Sequence, residues 1–149
     1  MNNPLEFHIL IAEENPGDAK PLRDTIHFEM SPHLEDIELR VHVVDTLAGA
    51  RELRDMANVT ILGLKLKDAD KEEVFSAVPY FHRPVFIYTE EADLETKAKC
   101  KDLKVEVVIK GQTTPGLFAV TLLEYLSKDV KMTMAEAAQA ENSYAAQTS

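Results

Sequence analysis

The chain has 149 residues, the length of one ordinary domain, and its 45% hydrophobic and 28% charged residues are typical of a globular protein and not of a disordered one. Acidic residues outnumber basic ones 26 to 16, and no cluster of Lys and Arg could follow a phosphate backbone, which argues against a nucleic-acid role. The single cysteine, the lack of a signal-peptide pattern and the lack of a long apolar run predict a cytoplasmic protein without a membrane segment.

The first half of the chain alternates short apolar runs with helical patterns. The run "FHILIA", Phe7 to Ala12, predicts a strand, and Asn15 followed by Pro16 predicts a helix cap and the first helical position. This helix has an apolar face formed by Ala19, Leu22, Ile26 and Met30. "IELRVHVV" predicts a second strand, and "NVTILGL" predicts a third. Between them, Thr46 can cap a second helix that runs through Ala57.

The second half repeats the alternation. The sequence predicts a third helix over residues 70–78, a fourth strand at "VFIYT" and a polar fourth helix at "EEADLETKAKCK". We expect that fourth helix to bury Ala92, Leu94 and Ala98. "KVEVVIK" predicts the fifth strand, and the fifth helix is predicted to start near Thr114 and Pro115.

Five strands that alternate with five helices through short connections predict a doubly wound, five-stranded parallel sheet of flavodoxin-like order 2-1-3-4-5, with helices on both faces. We assign residues 1–128 to this domain and residues 129–149 to a tail that is either a helical extension or disordered. Sites in such sheets form beyond the carboxyl ends of the strands, where this chain has Glu13, Glu14, Gly63, Thr89 and Lys110.

The order and spacing of these strand-end residues resemble the receiver domains of two-component response regulators, the CheY-like family. The resemblance covers about residues 5 to 128 and rests on "ILIAEENPGDA", "VTILGLKLKD", "RPVFIYTE" and "VEVVIKG". It implies phosphorylation of an aspartate at the tip of the third strand, with a divalent cation held by the acidic turn. A hydroxyl and an ammonium group would then stabilise the phosphoryl group.

The resemblance assigns Glu13 and Glu14 to the acidic pair, and the matching hydroxyl and ammonium are those of Thr89 and Lys110. The position of the nucleophile is Gly63, which has no side chain that could accept a phosphoryl group. Lys65 stands two residues further on, where its ammonium could reach the acidic pair and replace the metal. We therefore expect no catalytic residue and no cofactor, and also no metal, although the acidic pair would hold any cation that did bind.

These departures predict a pseudo-receiver: a signalling and protein-interaction module, not an enzyme, that does not depend on phosphorylation. The expected partner is a protein of a signalling pathway, with a histidine kinase as one candidate. We also expect a homodimer through the face of the fourth helix, fifth strand and fifth helix. Candidate residues of that face, some of them necessarily buried in the core, are Leu94, Ala98, Val107, Phe118, Leu122 and Tyr125.

A second hypothesis is a small-molecule-binding or phosphate-handling enzyme that uses the crevice at the strand ends, because one fold can host many functions. Incubation with magnesium and a small phosphodonor such as acetyl phosphate separates the two hypotheses. The pseudo-receiver gives neither a phosphoryl adduct nor turnover of the donor.

Overall fold

The computed structural model describes residues 5–126, and the predicted tail at 129–149 lies outside them. The five strands form one parallel sheet in the order β2-β1-β3-β4-β5, as predicted. The strands are β1 Leu5–Ala12, β2 Ile37–Val44, β3 Val59–Gly63, β4 Val85–Thr89 and β5 Glu106–Ile109. Across residues 5–126 no helix has both the length and the apolar composition needed to cross a membrane.

The helices alternate with the strands and begin at side-chain caps. They are α1 Pro16–Met30, α2 Leu47–Glu52, α3 Lys71–Ala77, α4 Leu94–Leu103 and α5, which covers residues 115–126. Each of the first four begins after a side chain that accepts a hydrogen bond from a first-turn N–H; these caps are Asn15, Thr46, Asp70 and Asp93. Short 3-10 turns follow α1 and α3, at Ser31–His33 and Val78–Tyr80.

Two apolar layers hold the helices against the two faces of the sheet. The apolar side chains of α1 and α5 form one layer with Phe7, Ile9 and Ile11 of β1. The other layer joins α2, α3 and α4 to Leu10 and Ala12 of the same strand, as the period of two along a strand requires. All five residues of β3 are buried, because this strand lies in the middle of the sheet with helices on both sides.

Helix α2 is shorter than the sequence pattern predicts: it ends at Glu52, not at Ala57. The N–H of Leu53 returns to the carbonyl of Ala50, which tightens the chain into turns. Asn58 then fixes the chain to β1, where its N–H donates to the carbonyl of His8 at 2.8 Å and its side chain accepts from the His8 N–H at 2.8 Å.

Helix α4 faces the sheet with residues other than the predicted ones. Leu94 is 86% exposed and Ala98 is also exposed, whereas Thr96 and Cys100 are buried. The side chain of Asp93 accepts from the N–H of Thr96 at 2.7 Å, and this cap sets the first turn of the helix. The prediction that Leu94 and Ala98 pack inward is therefore wrong, and both side chains are on the surface.

The predicted interaction face also needs correction on α5. Phe118 is 1% exposed and Leu122 is fully buried, because both pack into the layer shared with α1. They cannot contact a partner without unfolding of the core. Val107 and Tyr125 are half-buried, so they remain at the edge of this face.

Candidate functional site

A crevice of about 300 Å³ opens beyond the carboxyl ends of the central strands. The register explains why side chains from distant positions meet there: Ala12 pairs with Leu62, Gly63 with Tyr88, and Thr89 with Ile109. Most of the residues that line it are of polar or charged type; the lining comprises Glu13, Glu14, Asn15, Asp18, Leu64, Lys65, Tyr88, Thr89, Glu90 and Lys110. This is the place where ligands bind in open α/β sheets.

Lys110 is the electrostatic centre of the crevice. Its ammonium donates to the carboxylate of Glu13 and to Oδ2 of Asp18, the latter at 2.8 Å. Its side chain is 16% exposed, and that of Glu13 only 5%. The ammonium also lies 5.1 Å from the centroid of the Tyr88 ring, within the range of a cation–π interaction. The Lys110 ammonium thus contacts two carboxylates and an aromatic ring.

These contacts change the pKa values of the groups involved. Burial lowers the pKa of the Lys110 ammonium, but its hydrogen bonds to Asp18 and Glu13 outweigh this effect and raise it above its ordinary value. Burial raises the pKa of the Tyr88 phenol, and the nearby Lys110 charge opposes that shift. Both groups therefore stay protonated around neutral pH.

The other predicted site residues lie around the same crevice with different partners. The hydroxyl of Thr89 donates to the carbonyl of Glu91 at 3.0 Å, in the loop that follows β4. Lys65 lines the crevice but is exposed, and among residues 5–126 it forms no ion pair. The ammonium that reaches Glu13 is that of Lys110, so the expected role of Lys65 is not seen.

The acidic pair is split between two environments. Glu13 is buried and paired with Lys110, whereas Glu14 is only partly buried. Oε2 of Glu14 is nevertheless inaccessible to solvent and has no hydrogen-bond partner within the described part of the chain. The two adjacent carboxylates therefore do not act as one ligand pair.

Sequence reasoning missed Asp18 and Tyr88. Asp18 lies in the first turn of α1, three residues past the cap Asn15, whose side-chain amide donates to it at 3.3 Å. That position on the first turn was a usable signal, since the turn borders the crevice. The role of Tyr88 had no signal in the sequence, because the approach of its ring to Lys110 depends on how the strands pack.

The residues present do not fit the divalent cation that the resemblance implies. Position 63 supplies no carboxylate, and the carboxylates of Glu13 and Asp18 are already bound to Lys110. Within residues 5–126 no group of three or more His, Cys, Asp or Glu side chains is arranged to hold a metal ion. The arrangement supports an internal ion-pair network better than a metal centre.

Comparison with solved structures identifies the fold. The chain is similar to a signal receiver domain from Vibrio parahaemolyticus, with a TM-score of 0.65 and 17% identity over 89% of this chain and 98% of that one. It is also similar to the isolated receiver domain of RcsB from Salmonella enterica serovar Typhimurium, determined with the phosphomimetic BeF3⁻, with a TM-score of 0.60 and 20% identity over 83% of this chain and 89% of that one.

A third similar structure is the phosphorylated cyanobacterial phytochrome response regulator RcpA, with a TM-score of 0.59 and 16% identity over 80% of this chain and 91% of that one. No family model matches the chain, and no curated protein matches it. The structural neighbours are thus receiver domains of response regulators, and the predicted flavodoxin-like receiver fold is confirmed.

Proposed function

We propose that this protein is a pseudo-receiver, a signalling module that binds a protein partner and works without phosphorylation of its own. The observation that carries the proposal is Gly63 at the tip of β3, the position to which the receiver resemblance assigns the phosphoacceptor. An acyl phosphate forms on a carboxylate, and glycine has none. The receiver fold of the neighbours supports a signalling role for a chain that lacks this group.

The rest of the crevice is also poorly suited to phosphoryl transfer. The two carboxylates nearest to Lys110 are bound to it, so its ammonium is not free to meet an incoming phosphoryl group. The Thr89 hydroxyl is engaged with a loop carbonyl. Two of the similar structures were determined with a phosphomimetic or in a phosphorylated form, and we propose that this chain lacks that chemistry.

The proposal includes a homodimer through the surface of α4, β5 and α5. The exposed residues that favour it are Leu94, at 86% exposure, and Leu117, at 60%. Tyr125 lies at the edge of this surface, where its hydroxyl donates to Oε1 of Glu106 on β5 at 3.1 Å. A histidine kinase or another protein of the same pathway is the proposed further partner.

The test is incubation of the wild-type protein with Mg²⁺ and acetyl phosphate, followed by intact-mass measurement under acidic conditions. We expect no increase by the mass of a phosphoryl group and no consumption of the donor above the rate without protein. A conventional receiver domain in a parallel reaction shows that the conditions support labelling. A base-labile phosphoryl adduct on the wild-type protein contradicts the proposal.

The same assay also tests the alternative function, that of an enzyme that handles phosphate compounds. The crevice has four carboxylates, those of Glu13, Glu14, Asp18 and Glu90, and two ammonium groups. The net negative lining repels a phosphate, so this observation favours the signalling module. Turnover of acetyl phosphate without a stable adduct would support the enzyme instead.

A further inference from the structure

Gly63 is not required by the conformation of the backbone. Among residues 5–126 no glycine has a positive φ, so the backbone at position 63 is open to residues with side chains. The strand around it is rich in β-branched and large apolar residues, where a glycine weakens the sheet. The reason for the glycine must therefore be the space beside its Cα.

That space is occupied by the carboxyl group of Glu13. A Cβ built on Gly63 would lie 3.0 Å from Oε2 of Glu13, 3.2 Å from the carbonyl oxygen of Ala12 and 3.6 Å from Cδ of Glu13. Two of these three nearest atoms belong to one carboxyl group. A Cβ at Gly111, in contrast, would meet nothing within 4 Å.

The carboxyl group of Glu13 cannot move away at little cost. It is buried and accepts a hydrogen bond from the ammonium of Lys110, which is itself held by Asp18 at 2.8 Å. Displacing it would break a mostly buried ion pair and leave a charge with reduced solvation. The crowding by Glu13 is thus enforced by the Lys110 network, whereas the contact with the Ala12 carbonyl oxygen is set by the backbone.

We propose that Gly63 and Glu13 form one compensating pair. Glu13 supplies, from the end of β1, the buried carboxylate that pairs with Lys110, and Gly63 makes the room that this carboxylate needs. The proposal rests on the proposed function, since it explains how the crevice stays electrostatically satisfied when β3 provides no carboxylate.

The test is a double-mutant cycle on the full chain, with urea unfolding of wild type, Gly63→Ala, Glu13→Ala and the double variant. We expect Gly63→Ala to raise the unfolding equilibrium constant about tenfold in the wild-type background, the size of a typical overpacking penalty. In the Glu13→Ala background we expect the same change to raise it by only about twofold, because the crowding carboxyl group is gone. An equal effect in both backgrounds overturns the proposal.

Two controls separate the steric effect of the Glu13 side chain from the effect of its charge. Glu13→Gln keeps the shape of the side chain without its charge, so Gly63→Ala should be as damaging in that background as in wild type. Gly111→Ala should leave the unfolding midpoint nearly unchanged, because its Cβ meets open space. If Glu13→Ala does not fold, Glu13→Asp replaces it in the cycle, because its shorter side chain also withdraws the carboxyl group from position 63.

The cycle needs no phosphodonor, so its failure and the failure of the proposed function can be told apart. If the effects in the cycle are additive and the wild-type protein is not labelled, the proposed Gly63–Glu13 pair is wrong and the pseudo-receiver proposal is unaffected. Phosphoryl labelling of wild type, with a non-additive cycle, overturns the pseudo-receiver and leaves the steric pair standing.

Discussion

Lys110 is the residue on which the electrostatic balance of the crevice depends. Its ammonium neutralises Glu13, whose side chain is 5% exposed, and it binds Asp18, whose side chain is 30% exposed. The raised pKa keeps the ammonium charged, because the two carboxylates outweigh the effect of its burial. Loss of this one charge would leave Glu13 as a buried carboxylate without its counter-ion.

Replacement of Lys110 by Met should therefore lower the free energy of unfolding by about 2 to 3 kcal/mol, toward the low end for a broken buried ion pair since Asp18 keeps some solvent contact. Urea unfolding at neutral pH measures the change. Lys20→Met, at an exposed position on α1, is the control and should stay within about 0.5 kcal/mol of wild type. A Lys110→Met protein as stable as its control would refute the role of the network.

His8 and His42 form a second pair of coupled groups, on neighbouring strands. Nδ1 of His8 lies 2.9 Å from Nε2 of His42, and Nε2 of His8 lies 3.0 Å from Oε2 of Glu6. Burial lowers the pKa of His42 below its ordinary value of 6.5, and the neighbouring His8 and Arg40 lower it further. Only one proton fits between the two facing nitrogens, so a positive charge on both imidazole rings at once is unfavourable.

The sign of the pH effect follows from this lowered pKa. Between the folded pKa of His42 and 6.5 the unfolded chain binds more protons, so the free energy of unfolding decreases as pH falls below 6.5. Urea titrations at about pH 7.5 and about pH 5 should show a larger loss for wild type than for His42→Gln. His33→Gln, at an exposed position, is the control and should lose as much as wild type. Equal losses in all three proteins would rule out the His42 contribution.

At the scale of the elements, the caps were the most predictable features. Asn15 and Thr46 were identified from the sequence as caps, and their side chains accept from the N–H groups of Gly17 and Gly49. What the sequence did not reveal is that Asp68, on the loop after β3, also caps α2: its carboxylate accepts from the N–H groups of Leu47 at 2.6 Å and Ala48 at 3.0 Å. Such a cap joins residues far apart in the chain.

Removal of the local cap should weaken α2 measurably. Thr46→Ala should lower the free energy of unfolding by about 1 kcal/mol, a typical value for a lost Ser or Thr cap. Thermal or urea unfolding measures this, with Thr25→Ala inside α1 as the control, where alanine favours the helix. If both variants match wild type, the Asp68 carboxylate alone is enough to start α2.

The orientation of α4 shows where periodicity fails. The helix has few apolar residues, so the sequence pattern selected Leu94 and Ala98 as the buried positions. The side chains that α4 buries are instead those of Thr96 and Cys100, which are small enough to pack closely. A helix with so weak an apolar face takes its orientation from the cap and the neighbouring strands, and neither can be read from local composition.

At the scale of the whole molecule, the topology was predictable because alternating strands and helices leave few right-handed arrangements. The position of the crevice followed from the same rule, since the strand ends meet at one edge. The pairing inside the crevice did not follow. Whether Lys110 contacts Glu13, Glu14 or a third group depends on register and side-chain length at the level of ångströms.

The proposed homodimer is tested by sedimentation of the full chain over a range of concentrations. We expect a concentration-dependent dimer that Leu94→Glu weakens at least about tenfold, since it replaces the exposed leucine of α4 with a charged side chain. Phe28→Glu is the matched control: Phe28 is 77% exposed, but it lies on α1, away from that surface. A wild-type protein that stays monomeric at the highest concentration contradicts the dimer.

The position of the buried Lys110 counter-ion Glu13, directly after β1, also limits which substitutions the crevice can accept. Aspartate at position 63 would first have to coexist with Glu13, two like charges in one small space. Shortening residue 13 first would leave Lys110 without its buried carboxylate. Each single substitution toward a carboxylate at position 63 therefore passes through a less stable protein, so this molecule tolerates change at its surface more readily than at the crevice.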